Sequence, residues 1–441
     1  MDKQRLWEIV DACNEEYEQI TAEVWAHPET NYTEYESSQI QADAMEKNGF
    51  RITKPLCGVK TAFSAEYGSG KPVIAIVGYV DALPDLSQEA DVFEYRPIEK
   101  GGNGHGCGHN LVGAGSMQAA CSLKKYMEEH NIPGTLRYYC TPAEEGGGGK
   151  VWLCSRGAFD DIDVALIWHP DPSLFVSGQA LACVTARVRF EGQGGHAGRP
   201  WEGRSALDAL TLMQVGVQFL REHVIPDARI SYSITNTGGA APNVVQPEAE
   251  GSFLIRAPKQ EIVFDIFERV KRIGEGAALM TDTKMLEPEI ENIYSDNIVS
   301  NTVDDIVYQN ILEIFPLEYT EDELEYARKF QKFGRKPNAS EPMEMDTSKR
   351  HLPPAGSTDF SEISWFAPSN MCFLPCYPVG TPGHTWMYVA MGKSSIALKG
   401  MHAAAKVISA TALQFLTDPE LLAKAQEEQQ KKMAGRTYKT L

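Results

Sequence analysis

From its start the chain repeats apolar residues at steps of three and four, at Leu6, Ile9, Val10, Cys13, Tyr17, Ile20 and Val24. That is the period of an amphipathic helix, so the protein is expected to open on one. Farther along the pattern shortens. The stretches "VIAIVGYVDALP" from 73, "TLRYYCTPAEE" from 135 and "DVALIWHP" from 163 are β-rich runs, with a helical pattern over about 110 to 130 between the first two. Such alternation predicts an α/β fold, a mostly parallel sheet with helices on both faces.

The texture changes at about 184. "TARVRFEG", "RISYSITN" and "EGSFLIRAP" alternate with the period of two expected of half-buried strands, and between them Ala206, Leu210, Met213, Val217 and Leu220 form one helical stripe. A smaller α+β domain is therefore expected over 184–297, inserted into an α/β domain made of 1–183 and 298–441. Residues 334–355 read as a long loop without a core of their own, and loops of that length are usually functional or disordered. The chain is expected to end on the helical "GMHAAAKVISATALQFL" and a polar tail that frays.

Composition narrows the function. A length of 441 residues exceeds what one core usually supports, and 43% hydrophobic with 23% charged residues is ordinary for a globular protein. The formal charge of -19 repels phosphate backbones and anionic lipid, so neither nucleic acid nor a membrane is an expected partner. Nine cysteines, odd in number and scattered, point to a reducing compartment. The charged start "MDKQRLWEIVDACNEEY" has no signal-peptide core and no run of 18 apolar residues follows, which together predict a cytoplasmic protein.

In an open α/β sheet, ligands bind beyond the carboxyl ends of the strands. Asp81 follows the first β-rich run, Glu144 and Glu145 the second, and His169 ends the third, while Cys107 and His109 stand in "GHGCGHN" just before a helix. Taken singly, each has an ordinary reading: a turn aspartate, a solvated glutamate pair, a buried thiol, a satisfied histidine. Gathered on one sheet edge, they are the side chains that hold divalent transition metals. Zinc can lower the pKa of a bound water from about 15.7 to about 7. Adjacent glutamates point in different directions, so one can ligate metal while the other acts as general base.

The phosphate-loop look-alikes "GGGGK" and "GKSS" fail, because the required first glycine is replaced by Glu144 and Met387. A serine-nucleophile elbow is also missing.

The motifs "GYVDALP", "NGHGCGHN", "TPAEEGGGGK", "WHP", "GGHAGRP", "PNVVQPEAE", "GSTDFSEISW" and "GTPGHTW" occur in an order similar to the M20 family of metallopeptidases and amidohydrolases, in particular its B-type aminobenzoyl-glutamate branch. The resemblance implies a catalytic domain with an inserted lid and dimerisation domain. It also implies two divalent ions, manganese or zinc, held by Cys107, His109, Glu145, His169 and His384. Glu144 would be the general base and Asp81 would orient a ligand. His196 would stabilise the oxyanion from a neighbouring subunit, while Asn243 and Arg256 would hold a substrate carboxylate. The implied reaction is hydrolysis of the amide of an N-acyl amino acid, p-aminobenzoyl-glutamate first. The implied assembly is a homodimer, with a related A-type subunit as a possible further partner.

Departures from the pattern fall at Tyr79 and Val80, where many relatives carry an acidic residue, and at Asn110, where many have Asp. Without the resemblance, His196 is a loop histidine between glycines, and Arg256 ends an apolar strand where a salt bridge and a substrate contact are equally good explanations. Three other readings stand beside the expected one: a Cys107 nucleophile paired with His109, an amidohydrolase for another N-acyl amino acid or dipeptide, and a non-catalytic metal-binding subunit.

Overall fold

The β-rich runs become neighbours in one sheet. The computed structural model describes residues 2–354 and 356–439. A six-stranded sheet has the order Arg51–Thr53, Phe63–Ser69, Gly134–Thr141, Val73–Tyr79, Val164–Asp171, Ser369–Pro375. The last four strands run parallel, and the first two add an antiparallel edge. Every residue of Val73–Tyr79 is buried, so both faces of the sheet are covered there. The helix His109–His130 packs on this strand and on the long helix Ser395–Thr417. Tyr79 pairs in register with Thr141, and Pro375 with Asp171. The carboxyl ends are therefore level, and the loops that follow leave from one edge.

Two expectations need correction. The apolar stripe at the start belongs to two helices, Lys3–Asp11 and Asn14–Trp25, because Cys13 leaves helical geometry at φ -116 while keeping the stripe buried. The polar tail holds a helix, Pro419–Met433, started by the Asp418 side chain accepting from the Leu421 N–H and by proline in the first turn. Only residues 440 and 441 of that tail, and Ala355 of the long loop, lie outside the described residues. The rest of the long loop is tied down: His351–Leu352 pairs in parallel with Ser177–Gly178, and Met343 is buried in the core.

The contacts divide the described chain into two units, 2–179 with 298–353 and 362–439, and 180–297 with 354 and 356–361. The second unit has its own antiparallel sheet, in which Glu248–Ala257 pairs with Ala182–Glu191 on one side and Arg229–Asn236 on the other. Alternate residues Val184, Ala186, Val188 and Phe190 are buried, in a core shared with Leu210, Met213 and Val217 of the helix Ala206–Leu220 and Val263, Ile266 and Val270 of the helix Gln260–Thr281.

Candidate active site

Within the first unit, six side chains from four segments meet at the carboxyl edge of the sheet. Donor atoms of Cys107, His109 and His169 all lie within 4.8 Å of one another, as do those of Cys107, Glu145 and His384, and those of His109, Glu144 and Glu145. Cys107 belongs to two of these groups, as do His109 and Glu145. Geometry alone would admit Glu144 as a ligand too.

Backbone shape explains the glycines of "GHGCGHN". Gly108 starts the helix His109–His130 in the left-handed region at φ 78, and a Cβ there would sit 2.6 Å from Tyr377 Oη and 2.7 Å from Pro170 Cγ. Only glycine lets this backbone come so close to the strand ends with Cys107 and His109 on either side of it. His105 plays another part: it is buried, its Nε2 lies 3.0 Å from the Val24 carbonyl, and it joins none of the three groups.

Two of the histidines are held through Nδ1. His109 Nδ1 faces Asp81 Oδ1 at 2.9 Å and the Asp81 carbonyl at 3.1 Å, and His169 Nδ1 faces the Pro170 carbonyl at 2.9 Å. Carbonyls and carboxylates only accept, so both Nδ1 atoms donate and both Nε2 atoms are left for the cluster. His109 Nε2 and Glu145 Oε1 are buried without a hydrogen bond, and His169 Nε2 is 3.4 Å from Cys107 Sγ. Buried polar atoms are seldom left unmatched, so these atoms fit a cation among them.

Electrostatics agree. Burial lowers the His109 pKa, yet Asp81, together with the Glu145 and Glu144 carboxylates, more than offsets this and carries it to about 9. Burial, with His109 nearby, takes His169 down to about 4. Burial and then the Glu145 and Glu144 carboxylates push the Cys107 thiol well up, so a thiolate there requires a positive partner. That weighs against Cys107 as a free nucleophile. His384, half exposed at φ 56, is placed by its N–H on the Gly106 carbonyl at 2.9 Å, and its Nε2 is 3.4 Å from Glu145 Oε1.

Two of the residues that depart from the M20 pattern, Tyr79 and Asn110, have structural partners. Tyr79 packs its ring against that of His109, with centroids 4.8 Å apart, and the buried Lys150 ammonium lies 4.1 Å from the centre of the same Tyr79 ring. Asn110 Nδ2 donates to the Gly392 carbonyl at 2.8 Å. Sequence reasoning missed one acid, Glu34. It is fully buried and accepts from the Ala143 N–H at 2.9 Å, and burial followed by the charge of Asp81 raises it to about 7.

In the second unit, Val244–Val245 pairs with Gly195–His196, and Ala197 N donates to the Asn243 carbonyl at 3.0 Å, so His196 and Asn243 are neighbours. Gly198 N–H donates to His196 Nδ1 at 2.9 Å. A neutral imidazole bonded in this way carries its proton on Nε2, where the exposed ring can donate it. Arg256 is elsewhere. It pairs with Cys183 at one end of the sheet, whereas His196 and Asn243 lie past the other end, where Glu248 pairs with Glu191. The eight steps from 248 to 256 amount to about 26 Å of strand at 3.3 Å each. Among the described residues Arg256 has no ion pair, and its Nε is buried without a hydrogen bond. The salt-bridge explanation for this arginine therefore finds no partner.

The family model for peptidase family M20/M25/M40 matches residues 75–414. The B-type subunit of the p-aminobenzoyl-glutamate hydrolase of Escherichia coli (strain K12) is 40% identical, covering 96% of this chain and 94% of the relative. An Xaa-Arg dipeptidase of Mus musculus is 28% identical, covering 97% and 91%. Among solved structures, a dinuclear metal binding peptidase of the M20 family from Bacillus subtilis aligns with a TM-score of 0.63 at 18% identity, over 92% of this chain and 99% of that one.

Proposed function

The chain belongs to peptidase family M20/M25/M40 and is a metallohydrolase of amide or peptide bonds; from that premise we propose that it cleaves N-acyl amino acids with p-aminobenzoyl-glutamate as first substrate. The observation that carries this reading is the cluster itself, in which soft and acidic donor atoms lie within 4.8 Å of one another and two of the buried ones, His109 Nε2 and Glu145 Oε1, make no hydrogen bond. Cys107, His109, Glu145, His169 and His384 would hold two divalent ions, manganese or zinc. When bound, such ions supply Lewis acidity that acidifies water and polarises a carbonyl.

The chain's own residues do the rest. Asp81 holds His109 through Nδ1 and, with Oδ2, takes the Glu145 N–H at 2.8 Å, so one buried carboxylate aligns two of the five. Glu144 is the general base: its carboxylate takes the proton of the attacking water and passes it to the leaving nitrogen. His196 donates from Nε2 to the oxygen that becomes negative. Arg256, a cation without an ion pair among the described residues, receives the substrate's acidic group, aided by Asn243.

We further infer a dimer through the second unit. If His196, Asn243 and Arg256 all serve one small substrate, the strand length between them requires two copies. Two features of that unit support the pairing: the strand Arg229–Asn236 is an edge strand, and the helix Ala206–Leu220 exposes Leu212, Val215 and Phe219, the last 71% exposed. A cytoplasmic setting fits nine cysteines that are all free. Among the described residues, no helix is long and apolar enough to cross a membrane.

The test is metal analysis of the purified chain followed by assay against p-aminobenzoyl-glutamate, other N-acyl amino acids and dipeptides. Hydrolysis of dipeptides ending in arginine, with acyl-glutamates untouched, would favour the second reading that the Xaa-Arg dipeptidase relative suggests. Activity only after addition of another subunit would make this chain half of an enzyme. Cys107→Ala is expected to weaken metal binding by about tenfold or more, since loss of even an outer partner typically costs about 10 to 100-fold. Full metal content in an inactive Cys107→Ala protein, or an acyl-thiol trapped on the native one, would restore the nucleophile reading.

A further inference from the structure

We infer that Glu34 is a positioning residue that, with Tyr32, braces the turn carrying Glu144 and Glu145; the inference rests on the roles proposed for those two glutamates. The turn between the strand Gly134–Thr141 and the helix Gly149–Ser155 is not a relaxed loop. Ala143, fully buried, sits at φ 56, a left-handed conformation that a residue with a Cβ adopts only when its surroundings hold it there. The direction in which Glu144 leaves the backbone depends on that angle.

Three bonds hold the turn from outside. The Ala143 N–H donates to the Glu34 carboxylate at 2.9 Å, the Glu145 N–H to the Asp81 carboxylate at 2.8 Å, and the Tyr32 hydroxyl to the Gly147 carbonyl at 2.7 Å. The sequence pattern places Asp81 near the metal cluster but gives no such place to the segment 29–34. This segment lies directly against the turn: a Cβ on Gly147 would come within 2.7 Å of the Tyr32 ring. It is itself anchored, since the Ala82 N–H donates to the Glu29 carbonyl at 2.7 Å.

Glu34 precedes the helix Tyr35–Lys47, where an acid would ordinarily cap the helix. It does not do so here. Its side chain makes no cap bond, and the Glu29 carboxylate takes the N–H groups of Glu36 and Ser37 at 3.1 and 2.9 Å instead. The helix start is thus provided for by Glu29, and the Glu34 carboxylate is committed to the turn. What the turn needs from it is an acceptor for a buried N–H, because an unmet donor at Ala143 would have to move toward water and take Glu144 with it.

The experiment compares Glu34→Ala with Glu34→Gln in the full-length, metal-loaded protein. Hydrogen exchange over residues 142–149 is read together with kcat, KM and melting temperature. Loss of the acceptor in Glu34→Ala should speed exchange in this turn by about tenfold or more and lower kcat by a similar factor, with KM changed by less than about threefold. Glu34→Gln keeps an oxygen at the same place and should stay within about threefold of the native protein in each reading.

Native-like exchange in Glu34→Ala would overturn the brace, and so would a Glu34→Gln protein that falls as far as the alanine variant. If Glu34→Ala does not fold, Tyr32→Phe removes the second bond of the brace, and unchanged exchange over residues 142–149 would count against it equally. Exchange needs no substrate, so it decides the brace even if the roles given to Glu144 and Glu145 are wrong.

Discussion

Glu144→Gln is expected to lose about 100 to 10,000-fold in kcat, the usual contribution of a general base, while retaining the metal content of the native protein. Glutamine has nearly the shape of glutamate and keeps a carbonyl oxygen, but it cannot carry a proton from water to the leaving nitrogen. Both quantities have to be measured on one preparation, because Glu144 Oε2 lies only 3.9 Å from His109 Nε2, and the geometry would also admit Glu144 as a ligand. A parallel fall of metal and rate would move Glu144 into the ligand set. Native kcat in a metal-replete variant would remove it from the chemistry. Because Asp81 binds the Glu145 backbone and Glu34 that of Ala143, neither contact that shapes the turn is touched by this substitution.

Much of this site was legible because it is built from residue types with few other uses in such company. Cys107, His109, the glutamate pair and His169 each follow a β-rich run or precede a helix, so the parallel-sheet rule alone gathers them. Glu34 was hidden for the opposite reason. In "NYTEYES" it looks like a helix-start acid, and its actual partner is 109 positions away, set by how two loops pack. Arg256 was half legible: the lone charge on an apolar strand could be seen, but its separation from His196 appears only once strand register is known. The helix Pro419–Met433 was legible and misread, since Asp418 followed by proline is an explicit start signal that outweighs the polarity of the tail.

His196→Ala is expected to lower kcat by about 100 to 1,000-fold, near 2.7 to 4 kcal/mol, the usual cost of one oxyanion donor. The expectation rests on the Gly198 N–H, which occupies Nδ1 and leaves the Nε2 proton to be given away. Arg256→Ala should act mainly on KM, and only for substrates with an acidic group.

The dimer reading adds a sharper consequence. If His196 and Glu144 of a working site come from different copies, then Glu144→Gln and His196→Ala chains, each inactive alone, should regain activity when their subunits are exchanged. A mixed dimer would hold one site with both residues intact and one with neither, so activity should rise toward half that of the native dimer per mixed dimer formed. Separately tagged chains would report how many mixed dimers form. If they form in quantity and stay inactive, His196 serves its own chain's site or none, and the apolar stripe of Leu212, Val215 and Phe219 would need another explanation.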